Sequence, residues 1–485
     1  MKFINSFPKF DEVVEDAYEF YYTGTLSMTA DQIIEQLRAG KFPSQIKGNF
    51  AFFFKDSNRT VVCVDHLPNY NMFYSNDYCS NIFLTLQQTI KKADLPCTHN
   101  SKIRTEILLY WGGSVGEETT KNEIKRVLPG CYLEVLPDGK SKSVEYRDLY
   151  CHETENYSIN DLSDIIESFI KTHTKEPFGL LQSSGTDSST ILGYFRKLGL
   201  EKQAAYISLR STNEFSSETP YIEKLAEHYD NKIHWYDIGE FGGKNQQILD
   251  SLDQEQDPVF FSAYHRTYSA FWTEPHVLLK YKAIKDLGFV KHVIFTGEVG
   301  DQVFGSRFGK TLLKFIIQKP NADAEEIAEL FLTADFSRFR TAGYHSSFMK
   351  DVFEMPVVKQ AKEHAKEWFV NTWKRLDVDD LINKIELIQY LYKGSHRVYN
   401  YNQFPDVKFA HPFASNEVFE NIWKIPGYLK VGQGGRSRLL SYALIKDHMV
   451  EWPWLWDKTG VSVMSMDRTF KEIKGFLNGS NLGSR

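Results

Sequence analysis

Short apolar runs separated by turn residues fill the chain up to about Tyr150. Asn49 to Lys55, Thr60 to Asp65 and Ile82 to Thr85 read as strands, with turns at Asp56-Ser57-Asn58 and Pro137-Asp138-Gly139. That pattern predicts an antiparallel β-rich region. Beyond it the period changes. Phe178 to Leu181 reads as a buried strand, after which Ile191, Leu192, Phe195 and Leu198 recur at helical spacing and Gly199 stands where a C-terminal cap belongs. Ala204 to Leu209 (strand), Glu218 to Tyr229 (helix), Ile233 to Ile238 (strand) and Val293 to Phe295 (strand) continue the rhythm of a parallel sheet wrapped by helices. The last third is helix-rich, with three- and four-residue apolar spacing at Ala322 to Leu332, Val352 to Trp373, Leu381 to Lys393 and Arg436 to Val450, which should cover the sheet. The expected fold class is α/β: a C-terminal parallel-sheet unit with helical cover, plus an N-terminal antiparallel β-rich unit. The polar stretch Tyr150 to Asn160, before the helix Asp161 to His173, sets the expected boundary, giving domains 1–155 and 156–485.

Composition narrows the class of protein. With 485 residues, 42% hydrophobic, there is ample apolar content for two cores. No apolar run reaches the eighteen or so residues of a membrane span, and the N-terminus carries charges where a signal peptide needs an apolar segment, so a cytoplasmic protein without a membrane partner is expected. The net charge of -6 gives nucleic-acid binding no global support. The five Cys (Cys63, Cys79, Cys97, Cys131, Cys151) form no close pair, which suits reduced structural thiols rather than a zinc site or a disulfide framework.

Candidate chemistry concentrates in two turns. Ser183-Ser184-Gly185-Thr186-Asp187-Ser188-Ser189 follows the strand Phe178 to Leu181 and opens a helix, so small residues let backbone N–H groups face an anion while the helix adds its positive end. Asp187 among phosphate-binding groups implies a bridging Mg²⁺. The Gly-x-x-x-x-Gly-Lys-Ser/Thr of ordinary phosphate loops is missing, which disfavours simple γ-phosphoryl transfer. Thr296-Gly297-Glu298-Val299-Gly300-Asp301-Gln302-Val303-Phe304-Gly305 forms a second strand-to-helix turn. Both turns should lie at the carboxyl ends of parallel strands, where Asp187 and Asp301 can converge.

The first turn resembles the Ser-Gly-Gly-x-Asp-Ser pyrophosphate loop of enzymes that split ATP between its α and β phosphates. Ser184 replaces the first Gly, at a cost of about 1 kcal/mol if the backbone there is left-handed. The second turn resembles the Ser-Gly-Glu-Gly-x-Asp-Glu-x-Phe-Gly-Gly segment of the asparagine synthetase family, with Thr296, Val299, Gln302 and Ser306 as departures. The resemblance implies an adenine-nucleotide α-hydrolase-like synthetase fold, with ATP and Mg²⁺ as cofactors. It makes Asp187 and Asp301 the metal ligands and Leu181, Ser183, Ser184, Gly185, Thr186, Asp187, Ser188, Ile207, Thr296 and Gly297 the nucleotide contacts. Glu298 and Lys458 are the catalytic candidates, Lys458 because Asp457-Lys458-Thr459-Gly460-Val461 is similar to the family's Lys-x-Gly-Phe loop, which neutralises charge on the leaving pyrophosphate. His411-Pro412-Phe413 resembles the family's Arg-x-Pro-Phe. Lys408 stands where the synthetases usually have Glu; Asp406 and Tyr401 are nearby substitutes, read here as polar residues carried for solubility.

Gly48 to Phe53 and Leu128 to Leu133 resemble the latter half of the glutaminase domain that precedes the synthetase domain in this family. The family's nucleophile is a Cys immediately after the initiator Met, where this chain has Lys2, and Cys63 sits deep in a strand-like segment. The domain then resembles the scaffold of β-lactam synthetases and lasso-peptide cyclases. What this implies is an AMP-forming carbon–nitrogen ligase that adenylates a carboxylate and joins it to an amine not supplied by glutamine. Its substrate would be a small molecule or peptide bearing carboxylate and amine, and there is room for a homodimer. Two other readings stay open: a nucleotide- or nucleobase-modifying adenylating enzyme, and a catalytically degenerate ATP-binding scaffold.

Overall fold

A computed structural model describes residues 1–4, 10–67, 69–106, 116–147, 157–211, 218–239, 275–341, 355–376, 378–391, 395–402, 404, 406–431 and 438–449 of the chain. The N-terminal strands are β1 (Lys2–Ile4), β2 (Asp11–Glu15), β3 (Tyr18–Gly24), β4 (Phe50–Asp56), β5 (Thr60–Val64), β6 (Phe73–Tyr74), β7 (Tyr78–Ser80), β8 (Lys125–Arg126), β9 (Cys131–Val135) and β10 (Ser141–Glu145). They form an antiparallel sheet of order β10-β9-β5-β4-β3-β2 and a smaller sheet of order β1-β7-β6-β8, in which β1 runs parallel to β7. β4 shows why its aromatic run needs a two-sided core. Phe50, Phe52 and Phe54 enter one cluster with Ile33, Leu37 and Cys63, while Ala51 and Phe53 enter another with Val62, Val64 and Leu133, as period-two alternation requires.

One expected strand is a helix. Ile82 to Thr85 begins a helix at Phe83–Lys92 instead, with Phe83, Leu86 and Ile90 buried together against Phe73 and Tyr399. A short apolar run does not separate strand from helix; here the spacing of the next apolar residues decides it.

The parallel sheet is built from β11 (Phe178–Leu181), β12 (Ala205–Ser211), β13 (Ile233–Gly239), β14 (Val293–Phe295) and β15 (Lys408–Ala410), in the order β13-β12-β11-β14-β15. All its pairings are parallel, so helices must cover both faces, as the sequence pattern anticipates. Phe178, Phe195 and Phe295 meet in edge-to-face pairs on one face, joined by Ile191 and Leu192 from the helix Thr186–Lys197. β11 and β14 are direct neighbours, so the turns that follow them emerge side by side.

The C-terminal cover includes helices at Ala324–Thr341, Pro356–Arg375 and Leu381–Gln389. The expected helix Arg436 to Val450 is shorter, Leu439–Ile445, because Arg438 adopts a left-handed backbone (φ 69°) that cannot continue a right-handed helix. The β-rich region meets this cover through polar contacts. Asn69 Nδ2 donates to Ala414 O at 2.9 Å, Arg147 pairs with Glu420, and the fully buried Glu106 meets His364 Nδ1 at 2.5 Å. Among the described residues no helix is long and apolar enough to cross a membrane.

Candidate active site

The first turn is held by its own hydroxyls. Ser188 Oγ accepts from Ser183 N at 3.1 Å and lies 2.9 Å from Ser183 Oγ, which in turn accepts from Gly185 N at 3.1 Å. Gly185 is the N-cap and offers no side-chain cap to the helix, whose positive end faces the turn. A carboxylate already takes one part of that role: Glu218 Oε2 accepts from Ser184 N at 3.0 Å. Ser184 is not left-handed, and neither is Gly185, so the strain expected of a side chain at Ser184 does not arise. Leu181 and Ile207 are buried and paired in register on β11 and β12, with Gln182 N donating to Ile207 O at 2.9 Å.

The second turn carries the strain instead. Val299 has φ 60°, an outlier for a β-branched residue, at the position where the family pattern has Gly. Its side chain is buried in the main core, which offsets a cost on the order of 1–3 kcal/mol. Thr296 is buried and its hydroxyl lies 2.6 Å from His411 Nδ1, while Thr296 N donates to Ala410 O at 3.0 Å, tying the turn to β15. Burial pushes the His411 imidazole down to about 4, so it is neutral near pH 7.

The two turns pack directly on each other. A Cβ on Gly297 would lie 2.8 Å from the Cβ of Asp187, and one on Gly300 would lie 2.5 Å from its Cγ and Oδ1. Only glycine leaves room there. Asp187 and Asp301 converge on a single cation, the Arg438 guanidinium, which meets Asp187 Oδ1 at 3.0 Å and also ion-pairs with Asp301. The site is graded in exposure: the Asp187 and Arg438 side chains are largely covered, whereas Asp301 is 44% exposed. Their convergence gives two hard oxygen donors side by side, a donor set that suits Mg²⁺.

Glu298 anchors a further cluster. Its Oε1 accepts from Tyr401 OH at 3.1 Å and from Lys280 Nζ at 3.4 Å, and Lys280 also donates to Tyr401 OH at 3.0 Å. Tyr401 is fully buried, which corrects its reading as a residue carried for solubility; Asp406 accepts from Tyr281 OH at 3.2 Å. Lys408 is exposed and pairs with Glu176 at 2.9 Å, facing away from this chemistry. Lys280 and Arg438 escape a sequence reading because neither stands in a recognisable motif. Lys458, with the loop Asp457 to Val461, lies outside the described residues, as does Cys151.

Residues 167–447, more than half of the sequence, match the model of a known family, described as asparagine synthase. The chain belongs to the asparagine synthase family. Within this asparagine synthase superfamily of ATP-pyrophosphatases, ATP-dependent ligation is the shared chemistry. No curated protein matches the chain in sequence. Among solved structures it is similar to an NH3-dependent NAD synthetase from Campylobacter jejuni, 11% identical over 43% of this chain and 92% of that one, with a TM-score of 0.22. An NMN synthetase from Francisella tularensis is 12% identical over 46% of this chain and 97% of its own, TM-score 0.22. A glutamine-dependent NAD+ synthetase from Acinetobacter baumannii, solved with ADP, is 10% identical over 56% and 59%, TM-score 0.19. Likeness this remote says nothing about substrate.

Proposed function

We propose that this asparagine synthase family member is an AMP- and pyrophosphate-forming carbon–nitrogen ligase that adenylates a carboxylate and passes the acyl group to an amine not drawn from glutamine. The observation that carries the reading is the meeting of Asp187 and Asp301 on one guanidinium at the carboxyl ends of β11 and β14. Asp187 and Asp301 are the residues that would hold Mg²⁺, whose charge would offset that of the triphosphate. The chain's own groups do the rest. The turn Ser183 to Thr186 receives the phosphates: Ser184 N, exchanging the Glu218 carboxylate for a phosphate oxygen, and the helix end behind the turn supply the attraction, while the Ser183 and Gly185 N–H groups stay with the turn's own hydroxyls. Leu181, Ile207, Thr296 and Gly297 border the nucleoside, and Ser188 fixes the turn. The substrate carboxylate attacks the α phosphorus and pyrophosphate leaves; an amine then attacks the acyl carbon and AMP leaves. Lys458 is assigned to the leaving pyrophosphate.

We assign to Glu298, linked to both Tyr401 and Lys280, the removal of a proton from the incoming amine. Support for an amine other than glutamine-derived ammonia comes from the thiols. Cys63, Cys79 and Cys131 are buried, Cys97 is half-buried, and burial raises each thiol pKa above the ordinary range. Cys63 donates to Val64 O at 3.5 Å inside a strand. Among the described cysteines, then, none is a ready thiolate.

The test is pyrophosphate release from Mg-ATP across a panel of amino-carboxylates and peptides, with AMP identified in the products. Asp187→Asn and Asp301→Asn should each lower turnover by about 10³-fold. Full turnover in both variants, or ADP as the nucleotide product, would overturn the proposal.

A further inference from the structure

Arg438 is held in place from two sides. The helix it precedes, Leu439–Ile445, is clamped onto the phosphate-turn helix Thr186–Lys197: a Cβ on Gly193 would lie 2.7 Å from Ile445 Cγ2, Ser441 bonds Thr190, and Arg196 Nε donates to His448 O at 2.7 Å. On the other side, Leu439 N donates to Lys430 O at 3.1 Å, and that same carbonyl lies against Gly305 at the end of the second turn, 2.8 Å from where a Cβ would be. The left-handed backbone at Arg438 sends its side chain into the gap between the turns, where it is 15% exposed.

Two carboxylates this close repel unless a cation lies between them. The guanidinium supplies that cation. A bare divalent ion therefore has to compete with a tethered cation for the same oxygens. A triphosphate changes the competition, because its oxygens offer the planar fork a bidentate partner as good as the carboxylates it gives up.

We propose that Arg438 is a latch: it occupies the cation position between Asp187 and Asp301, refuses the bare metal, and yields the position to the metal–nucleotide complex by transferring to phosphate oxygens. It is a positioning residue, and the proposal rests on the ligase reading in taking Asp187 and Asp301 as the metal-holding pair. The latch orders loading, so that metal enters with ATP rather than ahead of it.

The experiment uses the full chain and two probes: Mn²⁺ alone, followed by its paramagnetic resonance, and an α,β-methylene ATP analogue with Mg²⁺, followed by calorimetry. Arg438→Gln should bind bare Mn²⁺ about tenfold tighter than the wild type and the Mg–analogue complex about tenfold more weakly. Arg438→Lys keeps the charge but loses the fork; it should shift both affinities the same way by a smaller factor, and it keeps the proposal testable if the Gln variant does not fold. Wild-type uptake of the Mg–analogue with no gain of Mn²⁺ affinity in either variant would overturn the latch and leave the ligase reading standing. Failure of the wild type to take up the Mg–analogue would overturn both.

Discussion

The two turns that form the site depart from the family pattern at comparable places, yet the departures have opposite physical meaning. In the first turn Ser184 replaces a Gly at a position whose backbone is not left-handed, and a side chain there costs no strain. In the second, Val299 replaces a Gly at a left-handed position, and the strain is retained because the side chain reaches the core. A lost glycine is thus no measure of lost function: the backbone angle at the position decides what the replacement does. Among the glycines that were kept, Gly297 and Gly300 are the ones a side chain would drive into Asp187.

The contact between the turns is the most vulnerable element. Gly300→Ala should force Asp187 aside and lower turnover by about 10²-fold, with normal secondary structure by circular dichroism. Near-wild-type turnover would mean that the turns do not need their close approach. Acid should loosen the second turn, which is anchored by the His411 ring. The folded pKa of His411, about 4, lies below its ordinary 6.5, so its contribution to stability is full above the ordinary value and is lost as pH falls toward the folded one. About 2 kcal/mol should disappear between about pH 7 and about pH 5 in denaturant titrations, and His411→Asn should flatten that slope. An unchanged slope would remove His411 from the account.

The smallest effect is a reversal of sign. At Val299 the Gly variant should be more stable than the Ala variant by about 1 kcal/mol, since both lose the buried side chain but only Ala keeps the left-handed strain. At Ser184 the order should be the usual one, with Ala above Gly by about 0.5–1 kcal/mol. Equal orders at the two positions, read by chemical denaturation, would erase the difference between the turns.

Legibility in the sequence followed the same division between local and non-local information. Both turns stood out because strand, small residues and helix follow one another within a few positions, and adjacency of β11 and β14 supplied what spacing could not. Arg438 and Lys280 were invisible, being single basic residues beside or within helices, and Tyr401 was misassigned because a polar tip says nothing about the burial of its ring. Phe83–Lys92 escaped because its first residues are as apolar as a strand, and only Leu86 and Ile90 reveal the helical period.

The absence of a side chain at Gly193 has a mechanical result. With Ile445 and Ser441 seated against it, the segment bearing Arg438 and the nucleotide-cradling turn are welded into one stiff jaw. Lys280, by contrast, reaches Glu298 and Tyr401 from a separate helix, Pro275–Asp286, whose Val277, Tyr281 and Ile284 are seated in a second apolar core with Leu181 and Ile207. The two walls of the site are therefore braced independently, the phosphate side on Gly193 and the ammonium side on its own apolar seat.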